Sequence, residues 1–432
     1  MLDINLIREK PEWVQERLLA KEYEVDFTEF LERDARRREL IFEVENLKAE
    51  RNKTSAAIPQ MKKAGEDVSA TLARMKDVGD EIKRLDNELG ELEKTQQDFM
   101  DALPNIPADD VVAGGKENNK VVRVFGTPPD FGFKPSHHVD IAERLQLIDY
   151  TRGAKLGGSG FWIYRGDGAL IEWALLNYFI EEHLKDGYEM LLPPHILNYE
   201  CGYTAGQFPK FRDDVFQLRN DDSEDFTHFI LPTAETALVN LFRDEILDEA
   251  DLPKKLFAYT PCYRKEAGSY RAEERGMIRG HQFNKVEMFQ YALPEKSDDA
   301  LEELVDKACA LVEGLGLHYR LSKLAAADCS ASMRKTYDIE IWIPSMDDYK
   351  EVSSASNAGD YQARRGNMRF RRQSTNRPEF LHTLNASGLA TSRILPAILE
   401  QNQLADGTVR IPEVLRKWLG GREIIGIPVK NR

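Results

Sequence analysis

Charged and aromatic residues alternate along residues 262–291, where a strand that only covers a core would alternate apolar with polar residues. Cys262, Arg264 and Glu266 are spaced to share one face of a strand. After a polar loop, a second run places these residues on one face: His281, Phe283, Lys285, Glu287, Phe289 and Tyr291. If the two runs pair as a hairpin, one sheet surface carries cations, carboxylates and an aromatic ring. Such a surface is typical of the floor of a ligand-binding site rather than of a core.

Five short stretches carry polar residues that a core does not need. They are "PTAE" (232–235), "RKE" (264–266), "RGHQFNKVE" (279–287), "EVSS" (351–354) and "LNASGLATSR" (384–393). Each stretch alone is weak evidence, because a single Arg on a strand is usually part of a surface ion pair. The set in this order is far more specific. The chain has no GxxxxGK[ST] phosphate loop, so a nucleotide would have to be held in another way.

The stretches are positioned by a mixture of helices and strands without βαβ alternation, which favours an antiparallel sheet. The segment "GALIEWALLNYFIEEHLKDG" predicts an amphipathic helix, and "YEMLLPP" predicts a short strand that ends at two prolines. The segments "YDIEIWIP" and "YKEVSSASN" predict strands separated by the turn "SMDD". A strand at "FLHTLN" is predicted to lead directly into a helix over "SGLATSRILPAILEQNQ".

The first hundred residues have a different pattern, with apolar residues three and four positions apart. From residue 75 this seam comprises Met75, Val78, Ile82, Leu85, Leu89, Leu92, Phe99 and Leu103, with Gln96 in the one polar slot. Leu40, Val44 and Leu47 show the same spacing upstream, and residues 54–70, with Pro59 and Gly65, interrupt it. The spacing predicts an antiparallel coiled-coil hairpin. At about 1.5 Å per residue, some thirty residues a side would reach roughly 45 Å.

Basic residues cluster in the far half of this predicted arm. They are Lys48, Arg51, Lys53, Lys62, Lys63, Arg74, Lys76, Lys83 and Arg84. Acidic residues are interspersed, so one interpretation is an ordinary solvated coiled-coil surface. The other is a lever that presents cations to a nucleic-acid backbone. The Pro-, Gly- and Asn-rich segment "ALPNIPADDVVAGGKENNK" then predicts a linker, giving domains at 1–110 and 111–432.

Composition indicates a soluble globular protein of 432 residues, with 42% hydrophobic and 31% charged residues. The net charge of −15 argues against a protein that simply coats nucleic acid, although a local basic surface is compatible with it. No apolar run approaches a membrane span, and "MLDINLIREK" lacks the layout of a signal peptide. Four widely separated cysteines indicate reduced thiols. We therefore expect a cytoplasmic protein without membrane contact.

Taken together, these motifs resemble those of the class II seryl-tRNA synthetases of the bacterial type. "GYEMLLPP" is similar to motif 1, "YRKEAGSYRAEERGMIRGHQFNKVEMF" to motif 2 and "LNASGLATSR" to motif 3. "LPTAE", "EVSSASN" and "QARR" resemble segments particular to the seryl branch. The resemblance implies an α+β fold, with an antiparallel catalytic sheet flanked by helices and a coiled-coil arm that binds tRNA. It also implies a homodimer that joins serine to ATP as seryl-adenylate and transfers serine to the 3′ end of tRNA(Ser).

The resemblance carries site roles onto matching positions. ATP would be bound by Arg264, Lys265, Glu266, Arg279, Phe283, Glu351, Val352, Ser353, Ser354 and Arg393. Serine would be bound by Thr233, Ala234, Glu235, Arg264, Glu287, Asn385 and Ser387. Arg264 and Arg393 would be catalytic, and Glu351 with Ser354 would hold Mg²⁺ between phosphates. Within these roles, Glu266 would contact the adenine amino group, Phe283 would stack on the ring, and Arg279 and Arg393 would reach the γ-phosphate.

Several positions depart from the usual family pattern. They are Ala386 in "LNASG", Ala355, the run Ala326, Ala327 and Asp328, and the pair Tyr270 and Arg271 in the motif 2 loop. Two other hypotheses therefore stay open beside the housekeeping enzyme. One is a paralogue serving antibiotic self-resistance or a biosynthetic pathway, and the other is a non-catalytic RNA-binding protein. Whether the selenocysteine tRNA is also a substrate stays open as well.

Overall fold

The computed structural model describes residues 1–219, 226–266 and 276–426. The chain divides into two compact units. One comprises Leu2–Leu19 and Tyr23–Leu103, and the other comprises Met1, Ala20–Glu22 and the chain from Pro104 onward. The predicted domain boundary after residue 110 remains a prediction. Among the described residues, no helix combines the length and apolarity needed to cross a bilayer.

The first unit is helical. Its helices are α1 (Ile4–Glu9), α2 (Pro11–Leu19), α3 (Thr28–Lys63) and α4 (Ser69–Ala102). Arg36, in the first half of α3, bonds Glu88 in the second half of α4 at 3.0 Å, whereas Arg74 in the first half of α4 bonds Glu50 in the second half of α3 at 2.6 Å. These cross-contacts run in opposite senses along the two helices, which confirms the predicted antiparallel hairpin.

The polar slot in the seam has a structural explanation. Gln96 donates a hydrogen bond at 3.0 Å to Asp34, a buried carboxylate that also accepts bonds from Arg8. Three apolar side chains, Leu40, Val44 and Leu85, form the buried core further along the hairpin. The Gln96 amide therefore provides a hydrogen bond to the buried Asp34 carboxylate. An apolar residue at this position of the seam could not provide it.

The predicted interruption of the first arm helix at residues 54–70 is wrong in its extent, because α3 continues through Pro59 to Lys63. Proline removes one backbone donor and leaves the carbonyl of residue 55 without its helical partner. Ser55 and Pro59 are both exposed, so water can satisfy that carbonyl. The turn falls later, where Gly65 has φ +77°.

The second unit is built on strands flanked by helices. Its helices are α5 (His138–Arg144), α6 (Tyr150–Gly157), α7 (Asp167–Lys185), α8 (Tyr199–Thr204), α9 (Glu235–Leu238), α10 (Ser297–Gly314), α11 (Tyr361–Arg365) and α12 (Thr391–Gln401). Its strands are β1 (Lys120–Phe125), β2 (Ile148–Asp149), β3 (Ile163–Tyr164), β4 (Glu189–Leu191), β5 (Ile196–Asn198), β6 (Phe216–Leu218), β7 (His228–Ile230), β8 (Ile246–Asp248), β9 (Lys254–Tyr263), β10 (Gln282–Ala292), β11 (Tyr319–Lys323), β12 (Lys335–Ile343), β13 (Asp348–Gly359), β14 (Arg369–Arg371), β15 (Pro378–Phe380), β16 (His382–Ala390), β17 (Val409–Arg410) and β18 (Ile424–Ile425).

An eight-stranded sheet in the order β1-β11-β12-β13-β16-β10-β9-β4 forms the centre of this unit. All neighbouring strands in it are antiparallel except β4 and β9, which are parallel. The predicted antiparallel sheet is therefore confirmed, with one parallel edge strand. Helices α7, α10 and α12 contribute to one apolar cluster with the sheet, which includes Phe179, Leu304, Ile398 and Met288.

The predicted hairpin is confirmed, because β9 and β10 pair antiparallel with Cys262 opposite Phe283. The first strand is shorter than predicted, since β9 ends at Tyr263 and Glu266 has φ +49°. Along β10, Val286 and Met288 belong to the apolar cluster, while Lys285 and Glu287 alternate with them. The pleat thus separates the core face of β10 from its charged face.

Two other boundaries differ from the sequence expectation. The strand predicted at "FLHTLN" continues to Ala390, and the helix begins only at Thr391. This strand pairs with β13 only as far as Ala386, whereas its pairing with β10 reaches Ala390, so the ladder with β10 holds the extension.

The segment predicted as a linker is packed against the rest of the second unit rather than free. Asn105 in this segment is buried, and its side-chain amide donates to the carbonyls of Ser332 and Ala358 at 2.9 and 2.7 Å.

Candidate active site

A cavity of about 610 Å³ opens over the charged face of the central sheet. Most of the residues that the sequence predicts for the site line it: Thr233, Glu235, Arg264, Glu266, Arg279, Phe283, Glu287, Glu351, Val352, Ser354, Asn385, Ser387 and Arg393. Three predicted residues are not among the lining residues. Ala234 is fully buried, the Ser353 hydroxyl donates to the carbonyl of Ser387, and Lys265 donates its backbone N–H to the carbonyl of Asp214 at 3.1 Å.

One end of the cavity holds two neighbouring carboxylates. The Asn385 amide on β16 donates to Glu235 at 3.3 Å and to Glu287 at 3.0 Å. A second amide, that of Gln362, donates to the other oxygen of Glu235 at 2.9 Å. Burial and the negative charge of Glu287 together raise the pKa of Glu235 to about 7. Two acids held this close favour a cationic ligand group between or beside them.

Lys285 is the residue of this end that the sequence analysis does not assign. It is buried on β10, forms an ion pair with Glu287, and donates to the Thr233 hydroxyl at 2.6 Å. The alternating pattern of the strand does indicate Lys285, since it lies between Phe283 and Glu287 on the charged face. Its ammonium group balances one carboxylate and fixes the Thr233 side chain.

Arg264 lies over the aromatic side of the floor. Its guanidinium carbon is 5.4 Å from the centroid of the Phe283 ring, and its Nε donates to the carbonyl of Pro232 at 3.2 Å. His281 holds the same segment through two contacts. Its backbone carbonyl accepts from the Arg264 backbone N–H at 2.9 Å, and its ring Nδ1 lies 3.0 Å from the Arg264 carbonyl oxygen. The guanidinium plane is thus fixed beside a ring that offers a stacking surface.

Glu266 and Arg279 are bound to each other. An Arg279 N–H donates to the Glu266 carboxylate at 2.6 Å across the motif 2 segment. The resemblance implies different ligand groups for the two residues, the adenine amino group for Glu266 and the γ-phosphate for Arg279. Those roles remain predictions, and either role would require this ion pair to rearrange.

The opposite side of the cavity presents oxygen donors. Arg393, in the first turn of α12, donates to the Glu351 carbonyl at 2.7 Å and lies 3.6 Å from the Glu351 carboxylate. Asp338 on β12 is paired in register with Ser354 on β13. Burial and the charge of Glu351 hold the pKa of Asp338 well above its usual value. Sequence reasoning missed Asp338, because only the strand register brings it to the cavity.

The departures from the family pattern lie mostly outside the cavity wall. Ala355 and Ala386 are opposite each other on β13 and β16, and both belong to the buried apolar cluster. Ala326 is buried, while Asp328 does line the cavity. The pair of residues 270 and 271 lies outside the described residues.

Comparison with known proteins agrees with this geometry. Residues 1–107 match the family described as the seryl-tRNA synthetase N-terminal domain, and residues 216–402 match the tRNA synthetase class II core domain (G, H, P, S and T). The chain is 64% identical over 427 residues to "Serine--tRNA ligase 2" of Clostridium acetobutylicum, covering 97% of this chain and 99% of that protein.

Further relatives give the same result. The chain is 47% identical to the serine–tRNA ligase of Nitratidesulfovibrio vulgaris, over 98% of this chain and all of that protein. Among solved structures, seryl-tRNA synthetase from Pyrococcus horikoshii complexed with ATP superposes with a TM-score of 0.89 at 35% identity, and each chain is covered completely. The chain therefore belongs to the seryl-tRNA synthetase family of class II aminoacyl-tRNA ligases.

Proposed function

We propose that the cavity joins serine to ATP as seryl-adenylate and that the chain then transfers serine to the 3′ end of tRNA(Ser). The observation that carries this proposal is the shared floor: one guanidinium and one aromatic ring line the same cavity as two carboxylates, the partly buried Glu235 and the buried Glu287, which are bridged by Asn385. The guanidinium suits the anionic phosphates and carboxylate of the two substrates, the aromatic ring suits the planar adenine, and the carboxylates suit the cationic ammonium group of serine. Two comparisons support the assignment. A seryl-tRNA synthetase of similar structure was solved in complex with ATP, and the similar curated relatives are named serine–tRNA ligases.

In the activation step, a serine carboxylate oxygen forms a bond to the α-phosphorus of ATP. The bond from that phosphorus to the bridging oxygen breaks, and pyrophosphate leaves with the electron pair. Both reactants are anionic, so a fixed cation lowers their repulsion and stabilises the charge that develops. Arg264 takes this role, because its guanidinium is held by Pro232 and lies over Phe283. Arg393 would stabilise the leaving phosphates.

Specificity for serine follows from the carboxylate end. Glu235 binds the α-ammonium group, and Glu287 accepts a bond from the side-chain hydroxyl. Alanine lacks this hydroxyl, so it would leave buried polar groups without a partner. Lys285 contributes by holding both Glu287 and the Thr233 hydroxyl.

A divalent cation, which ATP chemistry commonly uses, has suitable donors on the opposite wall. A hard cation prefers oxygen ligands, and the Glu351 carboxylate and the Ser354 hydroxyl both line the cavity with Asp338 beside them. We assign Glu351 and Ser354 as the residues that would hold Mg²⁺. The ion would neutralise phosphate charge, while Arg393 fixes the Glu351 backbone through its bond to that carbonyl.

The helical hairpin is assigned to tRNA binding. Its far half carries Arg51, Lys53, Lys62 and Lys63, and a mixed basic surface suits recognition of RNA by shape and backbone. Deleting about residues 35–95 should leave adenylate formation largely intact and abolish tRNA charging. Equal loss of both activities would contradict the assignment.

A homodimer is assigned to the surface of α7 and of the motif 1 strand β4 that follows it. Trp173 on α7 is 56% exposed and Leu192, next to the end of β4, is 75% exposed. Large apolar residues so placed favour a protein contact. Light scattering should give twice the chain mass, and Leu192→Asp should lower it towards one chain. A monomeric wild-type protein would contradict this part.

The central experiment is serine-dependent exchange of pyrophosphate into ATP, with threonine and alanine as controls. Arg264→Ala should abolish exchange, whereas Lys417→Ala, a surface cation paired with Glu181, should not change it. Wild-type protein without serine-dependent exchange would refute the proposal. Exchange without charging of tRNA(Ser) would favour the paralogue, for which the buried positions of Ala355 and Ala386 give no support.

A further inference from the structure

An exposed aromatic residue lies on the wall of the cavity without an assigned role. The Phe211 side chain is 40% exposed and borders the cavity. The exposed Lys210 places its ammonium nitrogen 5.4 Å from the centroid of this ring. An apolar ring that faces solvent beside a cation resembles the surfaces on which nucleic-acid bases stack.

The segment that carries Phe211 is fixed at both ends. At one end, Gln207 accepts a hydrogen bond at 3.1 Å from Thr236, the neighbour of Glu235. At the other end, the carbonyl of Asp214 accepts at 3.1 Å from the backbone N–H of Lys265, the neighbour of Arg264. The segment that carries the ring is therefore bound to the chain neighbours of both Glu235 and Arg264, and Phe211 lines the same cavity as these two residues.

Internal bonds also hold the backbone at the ring itself. The Phe211 N–H donates to the carbonyl of Gln207 at 2.7 Å, and its carbonyl accepts from Asp214 at 3.1 Å. The ring is thus presented by an ordered turn. The adenine of ATP has a separate aromatic partner in Phe283, so Phe211 is available for a second base.

We propose that Phe211, with Lys210, is the stacking site for the terminal adenosine of the tRNA. This inference rests on the proposed function. In the transfer, a terminal ribose hydroxyl oxygen forms a bond to the seryl carbonyl carbon. The bond from that carbon to the adenylate phosphate oxygen breaks, AMP leaves with the electron pair, and the hydroxyl proton passes to solvent. Stacking on Phe211 places this ribose over the adenylate, and Lys210 pairs with the adjoining phosphate.

The test separates transfer from activation. Phe211→Ala should leave serine-dependent pyrophosphate exchange within about twofold, and should slow single-turnover transfer from preformed adenylate to tRNA by about 5- to 100-fold. Phe211→Trp should restore transfer because it restores a stacking surface, whereas Phe211→Leu should not. Lys210→Ala should reduce the salt dependence of tRNA binding by about one phosphate contact.

The matched control is Lys417→Ala, since Lys417 also lies over a neighbouring aromatic, Trp418 at 4.1 Å, on surface outside the cavity lining. It should change neither activity. Unchanged transfer in Phe211→Ala would overturn the inference, and so would full recovery by Phe211→Leu. Equal loss of exchange and transfer would instead place Phe211 in the activation site and also overturn it. Absence of exchange in the wild-type protein would refute the proposed function itself, so the two failures are distinguishable.

Discussion

The pH dependence of serine binding tests the role of Glu235 directly. Its carboxylate is held by two amides, those of Gln362 and Asn385, and burial together with Glu287 raises its pKa to about 7. Below that pH the Glu235 carboxyl group of the empty site is protonated and uncharged. It must lose this proton before it can pair with the ammonium group of serine. With a pKa near 7, about nine-tenths of the sites are ionised at pH 8 and about one-tenth at pH 6.

The KM for serine in pyrophosphate exchange should therefore rise about tenfold as the pH falls from 8 to 6. Glu235→Gln keeps the size of the side chain but removes the charge, and its NH2 group cannot accept one of the two bonds that Gln362 and Asn385 donate to the Glu235 oxygens. A bond to a charged group contributes about 1.5–3 kcal/mol, so the variant should raise the KM by roughly 10- to 150-fold at pH 8.

The same variant supplies the control for titration of other groups, including the phosphates of ATP. In Glu235→Gln the KM for serine should no longer change between pH 6 and 8. A wild-type KM that stays constant over this range would refute the reasoning. An identical slope in the variant would do so as well, because the titrating group would then be another one.

Three further predictions concern neighbouring features. Glu266→Gln weakens the bond to Arg279 and to any adenine amino group, so the KM for ATP should rise roughly tenfold; an unchanged value would contradict the adenine role. Gly280→Ala would place a Cβ 2.1 Å from the Trp162 ring, so the variant should lose about 1–3 kcal/mol in urea unfolding. Asn105→Ala removes two buried bonds to backbone carbonyls and should cost about 1–3 kcal/mol by the same measurement.

Sequence patterns predicted those parts of the site that depend on local periodicity. The alternation along β10 put Phe283, Lys285 and Glu287 on one face, and the antiparallel pairing with β9 follows from the loop between them. The seam of the helical hairpin was equally readable, including the polar slot that Gln96 fills by bonding Asp34. In each case the repeat of the secondary structure fixes which side chains share a face.

Features that depend on tertiary neighbours were not predictable in this way. Asp338 reaches the cavity because β12 pairs with β13 in the register that places it opposite Ser354. The extension of β16 to Ala390 depends on its pairing with β10, in which Ala390 is opposite Lys285, and "SGLA" has no local preference strong enough to show it. Pro59 predicts a helix break from the sequence alone, whereas α3 continues to Lys63 because water can satisfy the freed carbonyl in this exposed turn.

The charges of the cavity wall show how this site can discriminate between ligands. Glu266 pairs with Arg279, Glu287 with Lys285, and the Glu351 carboxylate lies 3.6 Å from Arg393. A ligand that approaches one member of such a pair must replace the bond that it disrupts, or a charged group stays without a partner. On the proposed roles, ATP would bring a base to the first pair and phosphates to the arginines, and serine would bring an ammonium group and a hydroxyl to the carboxylates. A ligand that disrupts one of these pairs without supplying the matching group would lose the bond without compensation, so on these roles the paired wall would itself contribute to specificity.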